Sequence, residues 1–197
     1  MKKNQKTMLS SDTEAKEMMD EFDLSPASLL SIQINLEVLW KVEEQKKNLK
    51  KEILLAGKPF TDEVKPLITV LGITPLTALA FLADVADIRR FKTLRNMNAY
   101  HGLVPRVNES GGKSKTGRIN RESRRLTRTL FTQSVIHFAD ASPYLRLYYS
   151  NLISRRGVGR ARIALIRKIC GMMRRMLLEH QEFRWVQSSN FERKLKR

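Results

Sequence analysis

Two serines, Ser110 and Ser114, stand among four cations, Arg106, Lys113, Lys115 and Arg118, in a run that also holds Gly102, Gly111, Gly112 and Gly117. A serine hydroxyl attacks a phosphodiester only when a base takes its proton and cations or N–H groups stabilise the charge that develops on phosphorus oxygens. The four cations supply the second requirement. The glycines let backbone N–H groups approach a phosphate closely. A solvated basic linker has the same composition, and the stretch alone does not separate these two readings. The run is unsuited to a regular helix, because each interior Gly costs about 1 kcal/mol and Pro105 about 3 kcal/mol. Residues 102–118 therefore read as a mobile basic loop held between helices.

Other chemistries lack their residues. Metal-assisted phosphoryl transfer needs clustered carboxylates. Beyond residue 63 the acids are Asp84, Asp87, Glu109, Glu122, Asp140, Glu179, Glu182 and Glu192, with no spaced cluster. Asp84 and Asp87 read as the end of one helix and the cap of the next. His101, His137 and His180 stand apart in sequence, and the single Cys170 lies in an apolar helical pattern, so neither a zinc set nor a disulfide is expected. No phosphate-loop or dinucleotide fingerprint occurs. No cofactor is expected on this chain. Charge points to a partner instead. The 197 residues carry a net +17, and residues 64–197 hold 27 Lys or Arg against 8 Asp or Glu. A body this basic is the electrostatic footprint of a nucleic-acid binder. A membrane partner is not expected, since the uncharged stretch 67–83 is too short and is broken by Gly72 and Pro75. No signal peptide is legible, so the chain reads as cytoplasmic.

The elements that must position these groups all read as helices. Residues 1–25 form a polar tail. Pro26 opens a long helix to about Ala56, with Ile32, Leu36, Leu39, Leu49 and Ile53 making a weak coiled-coil-like seam. A helix packed on its own domain would show the same seam. Thr61 reads as the cap of a short helix ending at Gly72. Thr74 and Pro75 open a second apolar helix to about Val85. Two such helices about a Gly-containing turn resemble a helix-hairpin-helix, whose second helix offers N–H groups to a phosphate. Gly72 and Thr74 are its candidate DNA contacts. Thr93 caps a further short helix and Gly102 ends it. Helices are expected from about Arg121 to Ala139, from Ser142-Pro143 to Arg155, and from Arg160 to His180. With no strand legible, the fold class is all-α: a long N-terminal coiled-coil-like helix, then a helical domain.

Taken in order, several segments resemble a known family. They are Leu71-Gly72-Ile73-Thr74-Pro75-Leu76-Thr77-Ala78, Ala83-Asp84-Val85-Ala86-Asp87, Arg90-Phe91, Ala99-Tyr100, Gly102-Leu103-Val104-Pro105-Arg106, Ser110-Gly111-Gly112-Lys113 and Gly117-Arg118-Ile119, followed by Tyr148-Tyr149 and Arg167-Lys168-Ile169. From about residue 64 to 178 the chain resembles the C-terminal domain of the insertion-sequence transposases related to the Piv DNA invertase, which include the bridge-RNA-guided recombinases. The resemblance implies a serine that joins covalently to DNA, and Ser110 matches that pattern best, with Ser114 second. It implies nucleic-acid contacts at Gly72, Thr74, Arg106, Gly111, Gly112, Lys113, Ser114, Lys115 and Arg118. It also implies a separate resolvase-like domain holding a divalent metal on four acidic residues, joined through a coiled coil. That acidic domain has no counterpart here. Thr74 stands where the family usually has a second Gly, and Asn120-Arg121-Glu122-Ser123 runs on without the usual Gly.

The resulting expectation is a DNA-binding transposase chain of an insertion sequence, in the form of a truncated copy. The alternative is a non-catalytic nucleic-acid-binding remnant or regulator of an intact transposase. Expected partners are DNA, a guide RNA, and a second copy of the chain through residues 26–56. Expected divisions are 1–25 (tail), 26–60 (coiled-coil-like segment), 61–180 (DNA-binding and serine domain) and 181–197 (basic tail).

Overall fold

The computed structural model describes residues 24–110, 113–119, 125–185 and 194. The chain divides into two compact units, one ending at Glu52 and the other beginning at Ile53. Helix α1, Pro26–Ala56, runs through the first unit and across that division. Ser25 starts it, its Oγ accepting the Ser28 N–H at 3.3 Å. Leu36 is buried, while Leu30, Ile34, Val38, Val42 and Leu49 are exposed. Gly57 ends the helix, as its position before Pro59 predicts, and a 3-10 turn at Lys58–Phe60 follows.

The body is built from α2 (Thr61–Ile68), α3 (Pro75–Val85), α4 (Leu94–Tyr100), α5 (Leu126–Gln133), α6 (Val135–Asp140), α7 (Pro143–Arg156) and α8 (Val158–Glu179). The caps follow local chemistry. Thr74, Thr93 and Ser142 each accept an N–H from the first turn of α3, α4 and α7, and Pro stands at the start of α3 and α7. Thr61 departs from its expected role. It lies inside α2, and its hydroxyl donates to the Lys58 carbonyl at 2.5 Å instead of capping the helix. The helix expected from Arg121 to Ala139 is divided: α5 begins at Leu126, and Ser134 separates it from α6, while residues 121–124 lie outside the described residues.

Helix α8 is the central element. Its stripe Ile166, Ile169, Met173 and Leu177 is buried as expected, along with Cys170. It packs against α2, α4, α5, α6 and α7. Small residues allow the close approaches; a Cβ on Gly171 would stand 2.9 Å from Leu94 Cδ2 of α4. Phe81, Phe131 and Phe138 join α3, α5 and α6 through ring pairs at 5.7 and 5.5 Å. Burial pushes the Cys170 thiol up to about 12, so it stays protonated and acts as a small apolar side chain. After α8, Phe183 is buried, and its N–H donates to Thr69 Oγ1 at 2.9 Å. Lys194 Nζ donates to the Ile68 and Val70 carbonyls at 2.7 and 2.8 Å, satisfying carbonyls at the end of α2.

The expected helical architecture holds with one exception. The stretch read as a loop forms two antiparallel strands, β1 (Pro105–Ser110) and β2 (Lys113–Ile119). Among the described residues no helix is long and apolar enough to cross a membrane.

Candidate nucleic-acid interface

The hairpin sets the order of the candidate residues. Ser110 ends β1 directly opposite Lys113, which opens β2. Ser114 pairs with Glu109, and Lys115 with Asn108. Arg106 stands where the register shifts between Pro105 and Val107, a bulge that bends the ribbon near its base. Arg118 precedes the last residue of β2. Gly111 and Gly112, between the strands, lie outside the described residues. The register therefore brings Ser110 and one cation, Lys113, to the same rung, with the second serine one rung below.

The base of the hairpin is held by contacts that sequence inspection did not reveal. Gly102 ends α4 with φ +64°, and the Leu103 N–H returns to the Asn98 carbonyl at 2.8 Å. Arg128 of α5 donates to the Gly102 carbonyl at 3.1 Å, tying the chain before the hairpin to the helix after it. Asp84, at the end of α3 and 5% exposed, accepts the Thr127 N–H at 3.1 Å and the Thr127 hydroxyl at 2.6 Å through one oxygen. Helix α5 receives no cap from its own N-cap residue, Arg125. A carboxylate 43 residues earlier performs that task and complements the positive end of the helix. Asp84 stands at the end of a helix as expected, and the cap on α5 is a second role that it adds. Asp87 does serve as a cap, accepting the Arg89 N–H at 2.8 Å; that bond, with the Arg89 side chain, holds its carboxyl below the usual range.

His101 fills the space beneath this clamp. It is fully buried, its ring lies 5.8 Å from Phe81 and 5.4 Å from Tyr100, and neither ring nitrogen has a hydrogen-bond partner among the described residues. Desolvation pushes its pKa down to about 4; Asp84 opposes the shift and Arg90 adds to it. His101 is therefore a neutral core side chain. Arg90 spans Phe91 and Tyr100, 4.7 and 4.6 Å from their ring centroids.

Gly72 and Thr74 form a second group. Gly72 has φ +93°, and a Cβ there would meet His137 Cβ at 2.8 Å. Its carbonyl accepts the Ser134 hydroxyl at 3.1 Å. The closeness that glycine permits is thus to α6, which accounts for Gly72 by packing. Thr74 caps α3, its Oγ1 accepting Thr77 N–H at 3.1 Å. The two groups flank α5. The Asp84–Thr127 clamp marks its beginning and the Gly72–Ser134 bond its end, roughly 10 Å apart at 1.5 Å per residue. Among the described residues no three His, Cys, Asp or Glu converge as a metal set.

This geometry lies inside one recognisable region. Residues 64–150 match the Transposase IS116/IS110/IS902 family. The matched region takes in α2 to α6, the hairpin, both halves of the clamp, and the start of α7. The chain is similar to the transposase for insertion sequence element IS1111A of Coxiella burnetii, with 30% identity over 137 residues, 68% of this chain and 38% of that protein. It is also similar to a probable family 20 transposase of Pseudomonas aeruginosa, 38% identical over 78 residues, 40% of this chain and 22% of that protein. The chain thus spans about two fifths or less of the curated relatives it matches.

Proposed function

We propose that this chain acts in transposition of an insertion sequence as its DNA-binding, serine-bearing module, with Ser110 the nucleophile. The observation that supports this most is the family match over residues 64–150, which encloses the hairpin carrying Ser110 and the clamp at its base. The basic balance of residues 64–197 supports a phosphate-bearing partner. In the proposed step a new Oγ–phosphorus ester forms as one phosphorus–oxygen bond to deoxyribose breaks. The freed deoxyribose oxygen takes up the proton that the serine loses. Lys113, Arg106, Lys115 and Arg118 neutralise charge on the phosphate, and Gly111, Gly112 and Ser114 supply close backbone or hydroxyl contacts. Gly72 and Thr74, at the other end of α5, make a second phosphate contact of the helix-hairpin-helix kind. A divalent metal would be held by an acidic resolvase-like domain, and a guide RNA would select the DNA. Residues 26–56 would pair two copies, in keeping with the exposed row Ile34, Val38, Val42 and Leu49. The site of action is the cytoplasm, where the DNA lies.

The test is a covalent-adduct assay. The full chain is incubated with labelled DNA bearing element ends, with and without an added resolvase-like domain and magnesium, then resolved on a denaturing gel. An adduct abolished by Ser110→Ala and kept in Ser114→Ala is expected. An adduct lost only in Ser114→Ala would move the nucleophile. Salt-sensitive DNA retention without adduct in any mixture would leave a non-catalytic binding protein.

A further inference from the structure

Helices α7 and α8 meet at an elbow outside the family match, which ends at residue 150. Residues 154–160 are all exposed, and they include Arg155, Arg156 and Arg160, with exposed Arg162 two residues further. None of these four arginines has a carboxylate partner among the described residues. Between residues 143 and 179 the one acid is Glu179, at the far end of α8, and it already pairs with Arg175 at 3.3 Å. A Cβ built on Gly157 or on Gly159 would meet no atom within 4 Å.

Helix electrostatics account for only part of this placement. Arg155 and Arg156 suit the end of α7, where the helix dipole favours cations. Arg160 lies in the first turn of α8, where the dipole disfavours them, and no acidic residue offsets it. Four like charges along the exposed elbow repel each other and hold counterions in the free chain, and a phosphate backbone would take the place of those counterions. Guanidinium groups bind phosphate oxygens in a bidentate manner and keep their charge at any working pH. No aromatic ring occurs between residues 154 and 162, so the elbow lacks the stacking surface with which single strands are held. Tyr144, whose ring stacks on Trp185 and faces Lys168, stands at the opposite end of α7, about 18 Å from Arg156 at 1.5 Å per residue.

We infer that the α7–α8 elbow is a docking surface for the phosphate backbone of duplex DNA, reading no sequence and acting separately from the serine hairpin. The inference rests on the nucleic-acid reading above and gives it a specific second surface. The test uses fluorescence anisotropy of the full chain with a labelled duplex of mixed sequence, across about 50 to 200 mM salt. One variant carries Arg155→Gln, Arg156→Gln, Arg160→Gln and Arg162→Gln. A charge-matched control carries Lys58→Gln, Lys92→Gln, Arg95→Gln and Arg184→Gln, four exposed cations with no carboxylate partner among the described residues. Thermal melting of all three chains checks that each is folded. The elbow variant should bind roughly tenfold or more weakly, and its slope of log affinity against log salt should shrink by about 2 to 4, since each lost phosphate contact removes about 0.9. The control should stay within about threefold of the parent chain. Equal losses in the two variants would refute the elbow and leave DNA binding standing. Absence of duplex binding by the parent chain would remove both readings. An elbow-dependent preference for single-stranded RNA over the duplex would overturn the choice of partner.

Discussion

His101 and Asp84 are both buried. Burial keeps His101 neutral, with a folded pKa of about 4 against about 6.5 in the unfolded chain. Between these values the unfolded chain binds the extra proton, so stability is complete above pH 6.5 and falls as pH drops towards 4. About 2 kcal/mol should be lost between pH 7 and pH 5, on the order given by proton linkage, read from urea unfolding midpoints. In His101→Gln this loss should vanish over the same interval; an unchanged pH dependence would show that another group causes it. Asp84→Ala would leave the buried Thr127 N–H and hydroxyl without their acceptor and cost about 2–4 kcal/mol. Asp84→Asn keeps a carbonyl acceptor and should cost about half as much, and a double-mutant cycle with Thr127→Val measures the coupling. Asp84 was visible as a residue but not as a cap, because its partner is 43 positions away and no local pattern links them.

Local chemistry governs most element boundaries. Thr74, Thr93, Ser142, Pro75, Pro143, Gly57, Gly102 and Gly157 start or stop helices where their types predict. The hairpin was missed for a physical reason. Val107-Asn108-Glu109-Ser110 and Lys113-Ser114-Lys115-Thr116 are mostly polar at every position, so no face alternates with a core. The available signal was Gly111-Gly112 between two short polar segments, a sequence suited to a two-residue turn. Gly72 illustrates a position where element geometry admits no side chain. With φ +93° and His137 Cβ at 2.8 Å, Gly72→Ala should cost about 2–3 kcal/mol in equilibrium unfolding, against under 1 kcal/mol at an unstrained exposed site. A near-neutral Gly72→Ala would mean that the α2–α3 turn relaxes away from α6.

At the scale of the molecule, charge and α1 carry the expectations. A body with 27 Lys or Arg against 8 Asp or Glu should bind DNA with affinity that falls steeply between about 50 and 200 mM salt. A salt-independent affinity measured by anisotropy would contradict an electrostatic interface. In the first unit, Val38 and Val42 are exposed together with Leu49 along α1. If they pair two copies, Val38→Glu with Val42→Glu should halve the mass seen by sedimentation equilibrium, and an unchanged mass would remove pairing through this row.

The chain's local composition was enough to predict most of its helices, the caps Thr74, Thr93 and Ser142, its buried stripe on α8 and its basic character, since these depend on periodicity, capping chemistry and charge that neighbouring residues carry. Tertiary structure decided that the basic stretch is a ribbon with Ser110 opposite Lys113, that Asp84 clamps its base through Thr127, and that Gly72 packs under α6. These follow from contacts between residues far apart in the chain, whose energies appear only once the helices have closed around a common core.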